Sequence, residues 1–196
     1  IIEKSGSKTN KNRVTSKINF YRINKDNIKQ LLDENSMVDT KNMILKYIGS
    51  YEDIIQTNVS LQNNNCNLIL PTDFIVSKNL KKNAEYTTAN FDSLPHNMMA
   101  LDIGPKSIEL INKNINNCKT ILWNGPLGAF ETYPFDKGTN KVASHVSSLT
   151  KQKKILSVAG GGDTVSALNN AKVLNDFSYV STAGGAFLEW LEGKVL

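Results

Sequence analysis

Cysteine is scarce in this chain. Cys66 and Cys118 are the only two in 196 residues, they lie far apart, and neither has a ligand-spaced partner. A disulfide framework and a structural zinc site are therefore not expected, and a reducing, cytoplasmic setting fits better. Long apolar runs are absent: none approaches the roughly 20 residues that cross a bilayer, so no membrane partner is expected. Ile1, Ile2 and Glu3 lead into a polar stretch rich in Lys and Asn, which does not read as a secretory signal. There is no Walker A pattern, and no Gly-x-Gly-x-x-Gly follows a first strand. Neither an ordinary P-loop NTPase nor a dinucleotide dehydrogenase is supported. His96 and His145 are isolated and belong to no triad or metal set.

Hydrophobic residues make up 40% of the sequence, lean but sufficient for a core. The net charge is +5 and the pI about 9.1. A basic balance attracts phosphates, from nucleotides to nucleic acids. Here the lysines are dispersed, and Asn, Lys and Ile are heavy throughout, which reads as a codon-composition bias rather than a binding patch. Nucleic acid is not expected as a partner, because that role needs clustered basic residues.

Residues 1–66 are weakly patterned, and residues 1–30 are polar without a clean apolar period. Met43, Ile44, Tyr47 and Ile48 fall at helix-like spacing within 41–48. From residue 67 the signals sharpen. Strands are predicted over 67–70, ending at Pro71, and over 98–103, 120–123, 155–159 and 179–181. Helices are predicted over 106–117 (Ile108, Ile111, Ile115), within 135–149 (Val142, Val146, Leu149), and over 163–171 and 186–192. Trp123 and Trp190 read as core aromatics. Alternating strands and helices imply βαβ units. The expected fold is a single α/β domain: a Rossmann-like, mainly parallel sheet with helices on both faces. Residues 1–66 would form its eroded or partly ordered beginning, and 67–196 its well-formed core.

The chain is organised around Ser157-Val158-Ala159-Gly160-Gly161-Gly162-Asp163-Thr164. A buried strand end runs into a glycine turn, and a helix opens on Asp163 and Thr164. Glycines let the backbone approach a ligand closely, and a helix N-terminus offers unpaired N–H groups to an anion. One reading is a phosphate cradle, with Asp163 as helix cap or partner of a phosphate-bound Mg²⁺. The other is a plain strand-to-helix turn. Ligands of such sheets bind beyond the carboxyl ends of the strands. Strand ends here meet Gly104-Pro105, Gly125-Pro126, Gly160-Gly161-Gly162 and Gly184-Gly185. Asp73 and Asp102 sit at strand ends as well; they are readable as a general acid and base, although caps or turn contacts suit them better.

Read together, these loops carry a resemblance. Leu101-Asp102-Ile103-Gly104-Pro105-Lys106-Ser107, Trp123-Asn124-Gly125-Pro126-Leu127-Gly128-Ala129-Phe130-Glu131, Gly160-Gly161-Gly162-Asp163-Thr164 and Val180-Ser181-Thr182-Ala183-Gly184-Gly185-Ala186-Phe187-Leu188-Glu189 closely resemble, in order and spacing, the carboxyl-terminal, nucleotide-binding half of phosphoglycerate kinase. Leu70-Pro71-Thr72-Asp73 looks like that family's earlier Leu-Pro-x-Asp loop. Upstream, Val14-Thr15-Ser16-Lys17-Ile18 resembles its Val-x-x-Lys-Ile segment. The chain departs from the family where Glu34-Asn35-Ser36 replaces a glycine turn, and more mildly where Ala183 replaces a glycine. The resemblance also implies an amino-terminal domain that holds 3-phosphoglycerate, for which these residues offer no counterpart.

The resemblance implies the following roles. Gly161, Gly162, Asp163 and Thr164 bind the phosphates of ATP or ADP, with Asp163 toward the Mg²⁺ that arrives with the nucleotide. Glu131 holds the ribose hydroxyls. Asn124 sits near the phosphates. Lys17, at once nucleotide-binding and catalytic, neutralises charge on the moving phosphoryl group. The implied activity is reversible phosphoryl transfer between 1,3-bisphosphoglycerate and ADP, by a monomer, with 3-phosphoglycerate engaged only when an amino-terminal half is supplied. Two competing readings are a catalytically inactive nucleotide-binding remnant and a non-enzymatic scaffold whose basic arm contacts a partner.

Overall fold

A computed structural model describes residues 42–45, 69–183, 186, 187 and 190 of the chain. Apart from 42–45, the expectations for residues 1–66, Lys17 and the Glu34-Asn35-Ser36 turn among them, lie outside the described residues.

The strands are β1 (Asn42–Leu45), β2 (Asp73–Ser77), β3 (Thr87–Asn90), β4 (Met99–Ile103), β5 (Thr120–Trp123), β6 (Leu156–Gly160) and β7 (Tyr179–Ser181). The helices are α1 (Pro105–Ile115), α2 (Lys137–Lys151) and α3 (Gly162–Asn170). Four strands form the parallel sheet, in the order β1-β5-β6-β7. Its interior strand β5 is buried along all four residues, Thr-Ile-Leu-Trp. Continuous burial is what a parallel sheet covered on its faces demands.

The helical spacings place their apolar residues inward. Ile111 and Ile115 of α1 are buried, and Ile108 packs partly buried against the same core. Val142 and Val146 of α2 are fully buried and Leu149 nearly so. Each such side chain contributes about 1.5–3 kcal/mol of burial, an upper estimate against an extended unfolded chain. Pro105 opens α1, where its missing N–H costs nothing and its fixed φ suits the first turn. Trp123 lies at the centre, edge-on to Phe177 at 6.2 Å between ring centroids. Among the described residues no helix is long and apolar enough to cross a membrane.

Three local expectations are corrected. The strand expected over 67–70 does not reach Ile69 and Leu70; pairing starts after Pro71, at Asp73. Proline brings no N–H to a ladder, and the N–H groups of Thr72 and Asp73 both go to Ser107 Oγ. The strand near 98–103 does not join the parallel sheet. It pairs antiparallel with β2, which also pairs antiparallel with β3, making a second sheet of order β3-β2-β4. Finally, the helix-like spacing at 41–48 contains a strand, β1, in parallel register from Asn42 opposite Thr120 to Leu45 opposite Trp123. An apolar run this short fits either periodicity, and a free neighbour in the sheet decides it.

Candidate functional site

Strands β5, β6 and β7 are parallel, so their carboxyl ends share one edge of the sheet. Hydrogen bonds tie the loops leaving that edge to one another. The Gly125 N–H donates to Thr164 Oγ1 at 2.7 Å, joining the β5 loop to α3. The Gly161 N–H donates to the Ser181 carbonyl at 3.2 Å, joining the β6 turn to β7. The Gly125 peptide is held from its other side as well, where the Trp123 indole N–H donates to its carbonyl at 2.7 Å. The Leu127 N–H in turn reaches Thr139 Oγ1 of α2 at 3.0 Å. Glycine is required at both turning points: Gly125 has φ +94° and Gly161 φ +101°, values that strain any side chain.

The helix α3 opens directly from Gly161, with no side-chain cap. Its first backbone bond runs from the Val165 N–H to the Gly161 carbonyl, 2.9 Å. The N–H groups of Gly162, Asp163 and Thr164 therefore stand in the first turn, where no intrahelical acceptor reaches them. Gly162 is exposed, and among the described residues a Cβ built on it would meet nothing within 4 Å. Asp163 is exposed and makes no hydrogen bond among the described residues. A carboxylate beside donors suited to an anion repels that anion unless a cation lies between them. The donor set thus fits a phosphate that arrives with a divalent metal.

Thr164 differs from its neighbours. It is 1% exposed, and its hydroxyl oxygen is engaged by Gly125. Asn124 is half-buried on the pinned β5 loop, and its carboxamide makes no hydrogen bond among the described residues. The structure thus gathers Gly161, Gly162, Asp163, Thr164 and Asn124 at one edge. Glu131 is exposed on the connection between β5 and α2, and no hydrogen bond joins it to the cradle among the described residues. Its segment is anchored nonetheless: the Ala129 N–H donates to the Leu101 carbonyl at 2.8 Å and the Asn83 N–H to the Tyr133 carbonyl at 3.0 Å. Phe130 and Phe135 beside it are buried. Lys17 lies outside the described residues.

Asp73 and Asp102 are not an acid–base pair; each serves a helix N-terminus from a neighbouring strand. Asp73, fully buried, accepts from the N–H groups of Lys106 (3.1 Å) and Ser107 (2.7 Å) and from the Ser107 hydroxyl (2.7 Å), closing the start of α1. Asp102 accepts from the Gly138 N–H in the first turn of α2 at 2.6 Å and from its neighbour Ile103 at 2.8 Å. Burial pushes the Asp102 carboxyl up to about 7; the two N–H donors pull against that rise, and the charge of Asp136 adds to it. A Cβ at Gly128 or Gly138 would collide with this carboxylate, so the close packing around Asp102 fixes both as glycine.

Two cavities, of about 590 and 400 Å³, lie against the small antiparallel sheet, lined by residues such as Ser77, Glu85 and Met98 and by Pro71, Phe91 and Lys106. Neither is lined by Asn124, Gly125 or residues 160–164.

The family model described as "Phosphoglycerate kinase" matches residues 18–194. The phosphoglycerate kinase of Methylorubrum extorquens (strain PA1) is 58% identical over 132 residues, 67% of this chain and 33% of the relative. That of Rhodopseudomonas palustris is 54% identical over 132 residues, with the same shares. The chain spans about a third of the length of the curated relatives it matches. The structure of phosphoglycerate kinase from Coxiella burnetii superposes with a TM-score of 0.68 at 34% identity, over 87% of this chain and 42% of that one. The enzyme from Pyrococcus horikoshii, at 24% identity and a TM-score of 0.58 over 74% of this chain and 35% of that one, shares the fold.

Proposed function

Because the chain belongs to the phosphoglycerate kinase family, we propose that it supplies the nucleotide-binding half of a phosphotransferase that moves a phosphoryl group between ATP and 3-phosphoglycerate, forming ADP and 1,3-bisphosphoglycerate. The observation that carries this reading is the uncapped opening of α3 at the carboxyl edge of the parallel sheet, inside the family match. The N–H groups of Gly162 and Asp163 donate to the nucleotide phosphates. The Asp163 carboxylate would help hold the Mg²⁺ that travels with them, whose charge, when bound, would offset that of the phosphates. Asn124 donates its carboxamide N–H to a phosphate oxygen from the loop fixed by Thr164 and Trp123. Glu131 accepts from the ribose hydroxyls. Lys17 lends positive charge to the transferring phosphoryl group, the main demand of this chemistry.

Transfer also needs the acceptor held in line. An amino-terminal half that binds 3-phosphoglycerate meets that need; the chain itself is a monomer that works in the cytoplasm, without nucleic acid or membrane as partner. The replacement of a glycine turn by Glu34-Asn35-Ser36 favours a second reading, in which the chain binds nucleotide and does not turn over. A calorimetric titration with Mg-ADP, followed by an activity assay with an added amino-terminal half and 3-phosphoglycerate, separates the two. Binding with turnover supports the kinase reading, and binding without turnover supports the second. Absence of binding at millimolar nucleotide, weaker than about −4 kcal/mol, removes both.

A further inference from the structure

We propose that Thr164 is a positioning residue: its buried hydroxyl latches the β5 loop to the cradle, so that Asn124 is presented to the nucleotide at a fixed place. The proposal rests on the nucleotide reading above and goes beyond it, because the family resemblance implies for Thr164 a direct hold on phosphate. Three observations support the latch. Thr164 is 1% exposed, whereas Gly162 and Asp163 on either side of the same opening are exposed. Its hydroxyl oxygen already accepts the Gly125 N–H at 2.7 Å, across 39 residues of sequence. Gly125 has φ +94°, and its carbonyl accepts from the Trp123 indole N–H, so the residue is bonded at both its N–H and its C=O.

Asn124 precedes that peptide directly. Its carboxamide is half-buried and without a hydrogen bond among the described residues, while the backbone beside it is fastened on both sides. A side chain held ready on a fixed backbone loses little freedom on binding, which is how a supporting contact improves a ligand contact it does not itself make. Without the latch the N–H of Gly125 is unpaired, and the loop moves to satisfy it with water.

The test is a set of variants in the full chain. Thr164→Val keeps the shape of the side chain and removes the acceptor; Thr164→Ser keeps the acceptor. Amide hydrogen exchange at Gly125, read by NMR in the free protein, is expected to quicken at least tenfold in Thr164→Val and to stay within about twofold in Thr164→Ser. Mg-ADP affinity is expected to fall about tenfold in Thr164→Val and to be retained in Thr164→Ser. In an Asn124→Ala background, Thr164→Val should cost less than a further twofold, because the contact it supports is already gone. A full tenfold loss in that background would make Thr164 a direct phosphate ligand and overturn the proposal. Unchanged exchange at Gly125 would overturn the latch itself. Wild-type chain that binds no Mg-ADP would remove the nucleotide reading and the positioning role together, whereas the exchange experiment decides the latch by itself.

Discussion

Asp102→Asn separates the cost of a buried charge from the value of the hydrogen bonds it makes. Asp102 is 3% exposed, with its carboxyl raised to about 7 from an ordinary 3.8. Burial is the largest cause, opposed by the N–H groups of Gly138 and Ile103. Between these two values the folded chain holds a proton that the unfolded chain has released. The stabilisation is therefore fully present below about pH 4 and is lost as pH rises through about 7. A shift of about three units corresponds to a swing of about 4 kcal/mol across that range. Other carboxylates titrate in the same range, but they do so in the wild type and the variant alike and cancel in the difference.

The asparagine keeps one acceptor oxygen and turns its amide toward the other N–H, at a cost of about 1–3 kcal/mol that does not vary with pH. Urea unfolding of both proteins at pH 5, 6, 7 and 8 should therefore show wild type the more stable at the acid end. That advantage should shrink steadily and vanish or reverse by pH 8. A difference between the two that stays constant with pH would refute the reasoning and show that the N–H donors of α2 outweigh burial.

Three further outcomes are expected. Asp163→Ala should weaken Mg-ADP binding at least tenfold by calorimetry, and unchanged affinity would sink the cradle assignment. Glu131→Ala should weaken Mg-ADP binding several-fold and leave inorganic tripolyphosphate, which has no ribose, unaffected; a loss for both ligands would refute the ribose role. Ile115→Ala, at a fully buried position of α1, should lower unfolding free energy by about 2–5 kcal/mol in urea, and a loss below about 1 would mean that the core closes over the gap.

The parts of the fold that could be read from the sequence are those in which one periodicity had no competitor. The spacing of Val142, Val146 and Leu149 marks a helix face, and the apolar-rich run of β5 is closed by the turn signal Asn124-Gly125-Pro126, which favours a short buried strand. The antiparallel sheet was not legible, because Thr87–Asn90 is polar and mostly exposed, with no apolar alternation to mark it. Its partner β2 begins behind Pro71, where the apolar run before the proline is the stronger signal.

At the candidate site the glycine turns were legible because the positive φ of Gly125 and Gly161 demands that residue type. What the sequence withheld was the division of labour within Gly-Asp-Thr. Residue type makes Thr164 as good a phosphate ligand as its neighbours. Only the fold reveals that the turn of α3 points it inward, onto Gly125, while leaving Asp163 outside. Adjacent residues of a helix do not share a face. A motif of three contiguous residues at a helix start therefore cannot present all its side chains to one ligand. In the proposed cradle the backbone donors serve the phosphate, and the Thr164 side chain is turned to the loop next door.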